Sequence, residues 1–421
     1  MRRTHLFSAG SNARGQLATG DCEDAHRFSP CSFETSTPGG LPAEIDGVVQ
    51  IACGANHTLA LLKNSVNGRL ELWGCGDGSR GQLGTPPSSS LPTVQFRPLS
   101  LQHDLSDYSI KSVASGWETS YLVLSKSEAD DIILSFGSDD FGALGVSQTK
   151  QERIGQVNSI KLPLPGFIVC EKPHKLSVTS LAASVHHVIA VVCISQDDQT
   201  RTVVYGWGTS RVGQLGHLVK SGRPLPFTPT PVIVYEDPLS CQTISCAVGT
   251  HHTVLLDSEF KVTGLGSNRK QQTTGLEHIH GASSIGCTWN GSYVIVSNGG
   301  GWSFLATGVN NKGQLGSSQP EDPPAGLPAI VQFPFTNATH ELIKFVCGSE
   351  HVLCLFTLKN TPGPQSEVWG WGWNEHGNMG LGHLDDVHVP VKVWPPSEQQ
   401  APLESVDIWA GCGTSWLACL R

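Results

Sequence analysis

Residues 76–84 read Gly-Asp-Gly-Ser-Arg-Gly-Gln-Leu-Gly, and this stretch decides the fold because the chain repeats it. The shared pattern is an apolar strand, Gly-x-Asn/Asp/Ser, a short turn and then Gly-Gln-Leu-Gly. It occurs seven times, and its copies begin at Gly10, Gly76, Gly137, Gly208, Gly266, Gly308 and Gly372. The copy at Gly266 lacks its Gly-x-Leu-Gly half. Self-similarity of this kind indicates a repeat architecture.

A second pattern alternates with the first. It reads Val-x-x-Ile/Val-x-Cys-Gly-x-x-His-Thr, is followed by an apolar run, and is complete between Val48 and Leu61. Its other six copies centre on Gly116-Trp117, Val185-His186-His187, Gly249 to His252, Cys287 to Trp289, Cys347 to His351 and Cys412 to Trp416. Successive copies of the first pattern lie 42 to 71 residues apart, which accommodates the four strands and loops of one propeller blade.

The two ends of the chain complement each other. The strand Leu6–Gly10 has no Cys-Gly-x-x-His unit before it, and the segment Ile408–Leu420 has no Gly-x-Asn unit after it. We therefore predict an all-β protein, a single seven-bladed β-propeller over residues 1–421, closed by pairing of the N- and C-terminal strands. Its repeats are expected to begin near residues 6, 70, 133, 203, 260, 302 and 367.

Composition agrees with many short strands and argues against a nucleic-acid partner. The chain has 47 Gly, 26 Pro and only 15% charged residues, and its net charge of -9 offers no general attraction to phosphate. No stretch approaches the 18 or so continuous apolar residues of a membrane span. We expect no membrane association, no direct contact with nucleic acid, and a cytoplasmic and nuclear location.

The 13 cysteines contain no Cys-x-x-Cys pair. Several of them, Cys53, Cys287, Cys347 and Cys412, fall at or near one repeated position, so we predict reduced cysteines packed as small hydrophobic residues. His57, His187, His252 and His351 also share one position. Equivalent positions in different blades are held too far apart to converge on one ion, so these side chains are predicted to be buried structural histidines.

Residues 76–81 also match the dinucleotide-binding pattern Gly-x-Gly-x-x-Gly, which requires a helix after it. Pro86, Pro87 and three serines follow instead, and the glycines coincide with the repeat. No spacing in the chain supports a nucleophile with its base. We predict no catalytic, cofactor-binding or metal-binding residue, and a protein that is not an enzyme.

Positions at which tryptophan breaks the repeat are the candidate contact sites. Trp117 and Trp289 replace a small residue, and Trp416 is interpreted as replacing a histidine, while residues 369–373 contain three tryptophans. Period-two alternation places positions 369, 371 and 373 on one face, so one or two of them are expected in the core. The predicted partner-binding residues are Trp117, Glu118, Trp289, Trp373, Asn374, Glu375, His376 and Trp416.

The two alternating signatures resemble the repeats of the regulator of chromosome condensation family over nearly the whole chain. The resemblance implies a seven-bladed propeller in which the repeated glycines and histidines serve structure and the loops between blades serve function. Three segments, at residues 115–120, 371–378 and 410–416, are similar to the fungal killer-toxin-insensitivity branch of this family. The chain departs from that branch at Asn374, where the branch has glycine.

That branch implies a partner. It would be a small acidic zinc-binding electron-carrier protein, held in a heterodimer, that serves diphthamide synthesis and Elongator-dependent modification of tRNA wobble uridine. The metal would belong to the partner, and the propeller would bind and regulate it.

The alternative function is guanine nucleotide exchange on a small GTPase of the Ran type, which is the activity of the founding family member. Such exchange needs a wedge that protrudes toward the nucleotide site. The apparent insertion from Ser147 to Lys175 is the best wedge candidate, and no role is assigned to the longer loop at residues 18–47.

Overall fold

The computed structural model describes residues 3–84, 91–101, 107–147, 155–169, 172–220, 222–237, 241–317, 326–359, 361, 365–396 and 404–420. Their strands form seven antiparallel blades, which we number in chain order. Blade 1 joins both ends of the chain, in the order Ala25–Pro30, Thr4–Gly10, Thr414–Leu420 and Glu404–Ala410.

Blades 2 to 4 have four strands each. They are Ile45–Cys53, His57–Asn64, Leu70–Gly76 and Thr93–Pro98 in blade 2; Ser109–Ser115, Thr119–Ser125, Ile132–Gly137 and Asn158–Ile160 in blade 3; and Lys175–Ala183, His187–Gln196, Gln199–Thr209 and Phe227–Glu236 in blade 4. A small ribbon, Val219–Lys220 with Arg223–Pro224, projects from blade 4.

Blades 5 to 7 complete the ring. Blade 5 contains Thr243–Val248, His252–Asp257 and Val262–Gly266; blade 6 contains Ala282–Cys287, Gly291–Asn298, Gly301–Gly308 and Ala329–Ile330; and blade 7 contains His340–Cys347, His351–Leu358, Ser366–Gly372 and Val387–Trp394. The only helical turns among the described residues are of the 3-10 type, at Asp140–Gly142 and Leu276–His278. In that part of the chain no helix is long and apolar enough to cross a membrane.

Strand pairing between the two ends closes the ring, as predicted. The register runs without a shift from Thr4 opposite Leu420 to Gly10 opposite Thr414. The innermost strand of each blade contacts the innermost strands of both neighbouring blades, and Glu404–Ala410 is the innermost strand of blade 1. These contacts form a complete cycle. The prediction of an all-β, seven-bladed propeller closed by its own termini is therefore confirmed.

The repeated Asn and Gln side chains hold the turn of the first pattern. In blade 1, Asn12 Oδ1 accepts from the Leu17 N–H at 2.9 Å, and Gln16 Oε1 accepts from the Arg14 N–H at 2.8 Å. The turn's first glycine, Gly10, has a φ of 112°, and a Cβ there would lie 2.0 Å from the Gly413 carbonyl oxygen. The pattern is therefore a requirement of local backbone geometry.

The core lies between adjacent blades. The second strand of each blade is almost wholly buried, as in Val188–Val192 of blade 4. The largest apolar cluster joins Tyr293 of blade 6, Trp371 of blade 7 and Leu417 of blade 1. Trp371 also donates its indole N–H to the Gln314 carbonyl of the preceding blade at 2.9 Å. Each blade thus buries its faces only against its neighbours.

Blade 5 forms the turn of the first pattern although its sequence lacks the Gly-x-Leu-Gly half. Gln271 occupies the position of the missing glycine with a φ of 60°, and Gln272 Oε1 accepts from the Lys270 N–H at 2.8 Å as the template glutamine does. Only three strands of this blade fall within the described residues, and the turn Leu276–His278 follows them.

The described part of the segment from Ser147 to Lys175, our wedge candidate, packs in part against blades 3 and 4. Asn158–Ile160 is the outer strand of blade 3, Ile168 is buried, and the Tyr205 hydroxyl of blade 4 donates to the Pro163 carbonyl at 2.9 Å. Residues 148–154, 170 and 171 lie outside the described residues. The loop at residues 18–47 similarly supplies the outer strand of blade 1, Ala25–Pro30.

Candidate functional site

The Cys-Gly-x-x-His turns of the blades meet around the propeller axis. Main-chain hydrogen bonds pass from blade to blade there: the Ala55 N–H donates to the Trp117 carbonyl at 2.8 Å, and the Trp289 N–H donates to the Ser349 carbonyl at 2.7 Å. These turns surround a cavity of about 140 Å³. The Gly-x-Asn turns lie at the same end, because His57 pairs with Gly76. We call the surface formed by both sets of turns the channel-mouth face.

Trp117 and Trp289 meet across the mouth of this cavity. Their ring centroids are 6.1 Å apart with an interplanar angle of 46°, although they come from blades 3 and 6. Both indoles are half-buried, and both backbones are fixed by the hydrogen bonds between blades. A tilted aromatic pair contributes about 0.5–1.5 kcal/mol beyond its buried area. The face therefore presents large aromatic groups that are ordered before a partner arrives.

The turn at residues 373–376 of blade 7 contacts both neighbouring blades, 6 and 1. Lys312 of blade 6 contacts Glu375 at 2.5 Å, and His376 Nδ1 lies 2.8 Å from Asp24 of blade 1. The rings of Trp373 and His376 pack edge to face at 5.3 Å. Both lie beside the channel turn, since a Cβ on Gly413 would be 3.4 Å from His376 and 3.6 Å from Trp373.

A half-buried carboxylate links this turn to the tryptophan pair. Glu350 accepts from the side-chain amides of Asn290, next to Trp289, and of Gln314, the latter at 3.1 Å. The Glu350 carbonyl accepts from the Trp373 N–H at 2.9 Å. Burial raises the pKa of the Glu350 carboxyl. Sequence reasoning missed Glu350, although it occupies the same repeat position as Glu118.

Glu118 lies at the opposite side of the mouth, on blade 3. Its carboxylate is 3.9 Å from Arg80, which is mostly exposed. Burial raises the pKa of Glu118, and the Arg80 charge opposes that rise. The structure thus places six predicted contact residues on one face: Trp117, Glu118, Trp289, Trp373, Glu375 and His376. Their role in partner binding stays a prediction.

The prediction that Asn374 and Trp416 contact a partner is wrong. Both are 0% exposed, so neither belongs to a contact surface. Asn374 is the turn cap of blade 7: its Oδ1 accepts from the Met379 N–H at 2.8 Å and its Nδ2 donates to the His383 carbonyl at 2.9 Å. Trp416 packs in the core with its ring centroid 5.8 Å from that of Phe96.

Trp416 also does not replace a histidine. Gly10 pairs with Thr414 as Gly76 pairs with His57, so the histidine position of blade 1 belongs to Thr414. Among the three clustered tryptophans, Trp371 is the fully buried one, and positions 369 and 373 are half-buried. This agrees with the expectation of one or two core residues.

The repeated histidines fasten neighbouring blades. The Ser120 hydroxyl of blade 3 donates to the Gln82 carbonyl at 2.7 Å, so His57 Nε2, 2.8 Å away, must carry the proton that Ser120 accepts. His187 makes the same contact to Thr253 at 3.1 Å, and His351 makes it to Ser415 at 3.0 Å. We call these contacts the histidine latch.

The glycines Gly54 and Gly348 of Cys-Gly-x-x-His leave space for the imidazole ring of the histidine three residues later. A Cβ on Gly54 would lie 2.1 Å from His57 Cε1, and one on Gly348 would lie 2.2 Å from His351 Cε1. Burial lowers the pKa of both histidines to about 4. The latch histidines are therefore neutral structural residues, as predicted. Within the described ranges, no group of three or more His, Cys, Asp or Glu residues could hold a metal ion.

The described cysteines are all free thiols. Cys53, Cys287, Cys347 and Cys412 line the axial cavity. Burial raises the pKa of Cys53 to about 11 and that of Cys412 to about 12, so both stay protonated at neutral pH. The channel wall is thus neutral, and the charged groups of this end of the molecule belong to the surrounding turns.

Comparison with known proteins agrees with this architecture. Models of the regulator of chromosome condensation (RCC1) repeat match residues 5–61 and 365–418, and a second model of that repeat matches residues 48–82. The crystal structure of human WBSCR16 superposes with a TM-score of 0.67 over 99% of this chain and 98% of its own, at 18% identity. That likeness shows the fold alone.

Curated relatives match the whole propeller. The secretion-regulating guanine nucleotide exchange factor of Mus musculus is 25% identical over 98% of this chain and 83% of its own length. The ultraviolet-B receptor UVR8 of Arabidopsis thaliana is 26% identical over the same shares. An RCC1 repeat-containing protein of Schizosaccharomyces pombe is 24% identical over 98% of both chains. This chain therefore contains RCC1 repeats within residues 5–82 and 365–418, and it is similar over nearly its whole length to RCC1 repeat-containing proteins.

Proposed function

We propose that this protein is a non-catalytic interaction scaffold that docks a partner protein on its channel-mouth face. The observation that carries the proposal is the Trp117–Trp289 pair, held 6.1 Å apart across the mouth by two distant blades. Interface hot spots are enriched in tryptophan, and side chains that are already ordered lose little entropy on binding. The half-buried Trp373 extends this aromatic surface toward blade 1.

The partner that we favour is the small zinc-binding electron carrier of diphthamide synthesis and Elongator-dependent tRNA modification. Two of the three segments that resemble the killer-toxin-insensitivity branch, residues 115–120 and 410–416, contribute to the axial turns. The carrier would keep its own metal, and the propeller would position or shield it. The reduced cysteines also suit our proposal of a cytoplasmic and nuclear location.

Guanine nucleotide exchange on a small GTPase of the Ran type is the second candidate. A specific observation favours it: the mouse relative that matches 98% of this chain is a guanine nucleotide exchange factor. The same face would then contact the GTPase. The two candidates differ in the partner and in whether nucleotide release accelerates.

The turn at residues 373–376 gives the first test. We expect the double variant Trp373→Ala and Glu375→Ala to weaken binding of the purified zinc-loaded carrier by about 2 kcal/mol, or roughly 30-fold in Kd, because it removes an aromatic anchor and an exposed charge. Isothermal titration calorimetry measures the change. The matched control is Val66→Ala with Glu128→Ala, which alters an exposed apolar and an exposed acidic residue on turns at the opposite face.

Three outcomes separate the candidates. Unchanged affinity in the double variant removes this turn from the binding site. Absence of carrier binding by the wild-type protein rejects the favoured partner. Faster release of labelled GDP from a Ran-type GTPase in the presence of the propeller, lost in the double variant, would support the second candidate instead.

A further inference from the structure

The channel-mouth face carries a basic cluster that is not visible as a run in the sequence. Arg211 and Arg269 occupy the same position of the first pattern, three residues after Gly208 and Gly266 on neighbouring blades 4 and 5. Other blades have Ala13, Ser79, Asp140, Asn311 and Glu375 at that position. Arginine therefore recurs only where two adjacent turns carry it together.

Contacts between the two blades bring these turns side by side. A Cβ on Gly266, at the base of the second turn, would lie 3.1 Å from Gln214 Cα in the first. The Thr209 N–H donates to the His186 carbonyl and the Ser267 N–H donates to the His251 carbonyl, both at 2.8 Å. His186 and His251 thus lie at the roots of the two arginine turns.

We call Arg211, Arg269, Lys270, His186 and His251 the basic arc. The two arginines, Lys270 and His251 are exposed, and His186 is half-buried against Phe141 with ring centroids 4.8 Å apart. Lys270 donates to the Asn290 side chain at 3.1 Å, next to Trp289. The arc is therefore continuous with the tryptophan pair.

The cations of this arc differ in their contacts from the cations that blades 2 and 6 carry at the repeat position of Lys270. Arg80 of blade 2 is close to Glu118, and Lys312 of blade 6 is bonded to Glu375 and lies 3.2 Å from Asp386. Within the part of the chain that the structure describes, Arg211, Arg269 and Lys270 form no ion pair. Positive charge that is unpaired in the free protein is available to a ligand.

We propose that the basic arc binds an acidic peptide segment of the docked partner protein. This inference rests on the proposed function, because it assigns one part of the same docking face. Two forked guanidinium groups on adjacent turns suit the carboxylates of Asp and Glu, which they bind in bidentate fashion. The neighbouring Trp117–Trp289 pair supplies apolar contact next to the charged contact.

A short acidic segment fits this surface better than a nucleic acid. The chain has a net charge of -9, and the arc is flanked by Asp140 beside His186 and by Glu350 beyond Asn290. A long polyanion would extend over these carboxylates and be repelled by them. A peptide of a few acidic residues spans only the arc.

Fluorescence anisotropy tests the proposal with a fluorescein-labelled peptide of sequence Glu-Asp-Glu-Asp-Glu-Asp at low salt. We expect the full-length protein to bind it, and the double variant Arg211→Glu and Arg269→Glu to bind at least about tenfold more weakly, because the variant repels the carboxylates. The matched control is Arg14→Glu with Arg69→Glu, which makes the same charge change at an exposed blade 1 turn and at the opposite face. This control should retain wild-type affinity.

A labelled single-stranded oligonucleotide of equal charge is the competing probe, and we expect it to bind more weakly than the peptide. The proposal is overturned if the wild-type protein fails to bind the peptide, if the control loses as much affinity as the arc variant, or if the oligonucleotide binds more tightly. None of these results affects the tryptophan-dependent docking of the zinc carrier. Failure of that docking, with peptide binding intact, would reject the proposed function and leave the arc as a site.

Discussion

Deletion of residues 414–421 is expected to abolish the native ring. The segment Thr414–Leu420 is an internal strand of blade 1, and it pairs on one side with Thr4–Gly10 and on the other with Glu404–Ala410. It buries Trp416, Leu417 and Cys419 completely. Each large buried side chain contributes about 1.5–3 kcal/mol, whereas whole domains are stable by only about 5–15 kcal/mol. Loss of the strand also separates blades 7 and 2, which blade 1 joins.

Circular dichroism and limited proteolysis measure this effect. The deleted protein should lose its near-ultraviolet signal and its cooperative thermal transition, and trypsin should degrade it rapidly. A circular permutant that joins the present ends and opens the chain at the exposed turn near Val66 is the control, because it keeps every strand pair. A cooperative transition in the deleted protein would show that the ring does not depend on the pairing of its ends.

Mild acid should destabilise the protein through the four buried histidines of the second pattern, namely the three latch histidines and His252. Burial lowers the pKa of His57, His252 and His351 to about 4 and that of His187 to about 3, whereas unfolding returns each to its ordinary value of about 6.5. Below pH 6.5 the unfolded chain therefore binds protons that the folded chain excludes. Stability is complete above that pH and falls as the pH drops toward 4.

The expected size of this loss is large. Each histidine costs roughly 1.4 kcal/mol per pH unit in this window, so the four together cost roughly 5 kcal/mol at pH 5.5. The raised pKa values of Glu118 and Glu350 act in the opposite direction, since the folded protein takes up those protons more readily. The net effect remains destabilising because histidines outnumber these carboxyls and are more completely buried.

Urea unfolding at a series of pH values measures the slope of the unfolding free energy. The variant His351→Gln removes one titrating group and should lower that slope by about one proton. It should also lose stability at pH 7.5, where the latch contact to Ser415 is intact in the wild type. A flat pH profile between 7 and 5 in the wild type would contradict the neutral, buried latch.

Sequence patterns predicted the ring correctly because each repeat copy encodes a backbone requirement. Gly10 must adopt a positive φ under the Gly413 carbonyl, and Gly54 must leave room for the His57 ring. The first requirement recurs in all seven blades, where the equivalent glycines have φ between 91° and 128°, and the second recurs at Gly249 and Gly348. Seven copies therefore suffice to predict seven blades, and two complementary ends suffice to predict where the ring closes.

The errors at the site have equally specific causes. Cys412-Gly413 has the same residues as the Cys-Gly of the second pattern, but the glycine at the Gly54 position of blade 1 is Gly411, which lies next to Cys53. Aligning the pattern on Gly413 instead of Gly411 assigns Trp416 to the histidine position, which belongs to Thr414. Asn374 lies within the predicted contact segment next to Trp373, but it occupies the same capping position as Asn12.

The basic arc could not be predicted at all from local sequence. Arg211 and Arg269 are 58 residues apart, and only the ring places them on adjacent turns. The same holds for Trp117 and Trp289, whose contact across the axis depends on the closure of all seven blades. Surfaces of a propeller are assembled from equivalent positions in different repeats, so comparison of one repeat position across blades is the signal that would find them.

Site-specific photocrosslinking tests most directly whether the channel-mouth face docks a partner. The photoreactive amino acid p-benzoyl-phenylalanine is placed at position 289, where its aromatic side chain replaces one indole of the tryptophan pair, or at position 66, which is 78% exposed on a turn at the opposite face. Each protein is irradiated with the purified zinc-binding carrier, and the products are identified by mass spectrometry. We expect a crosslink from position 289 and none from position 66; a crosslink from position 66 alone would contradict the assignment of the docking face.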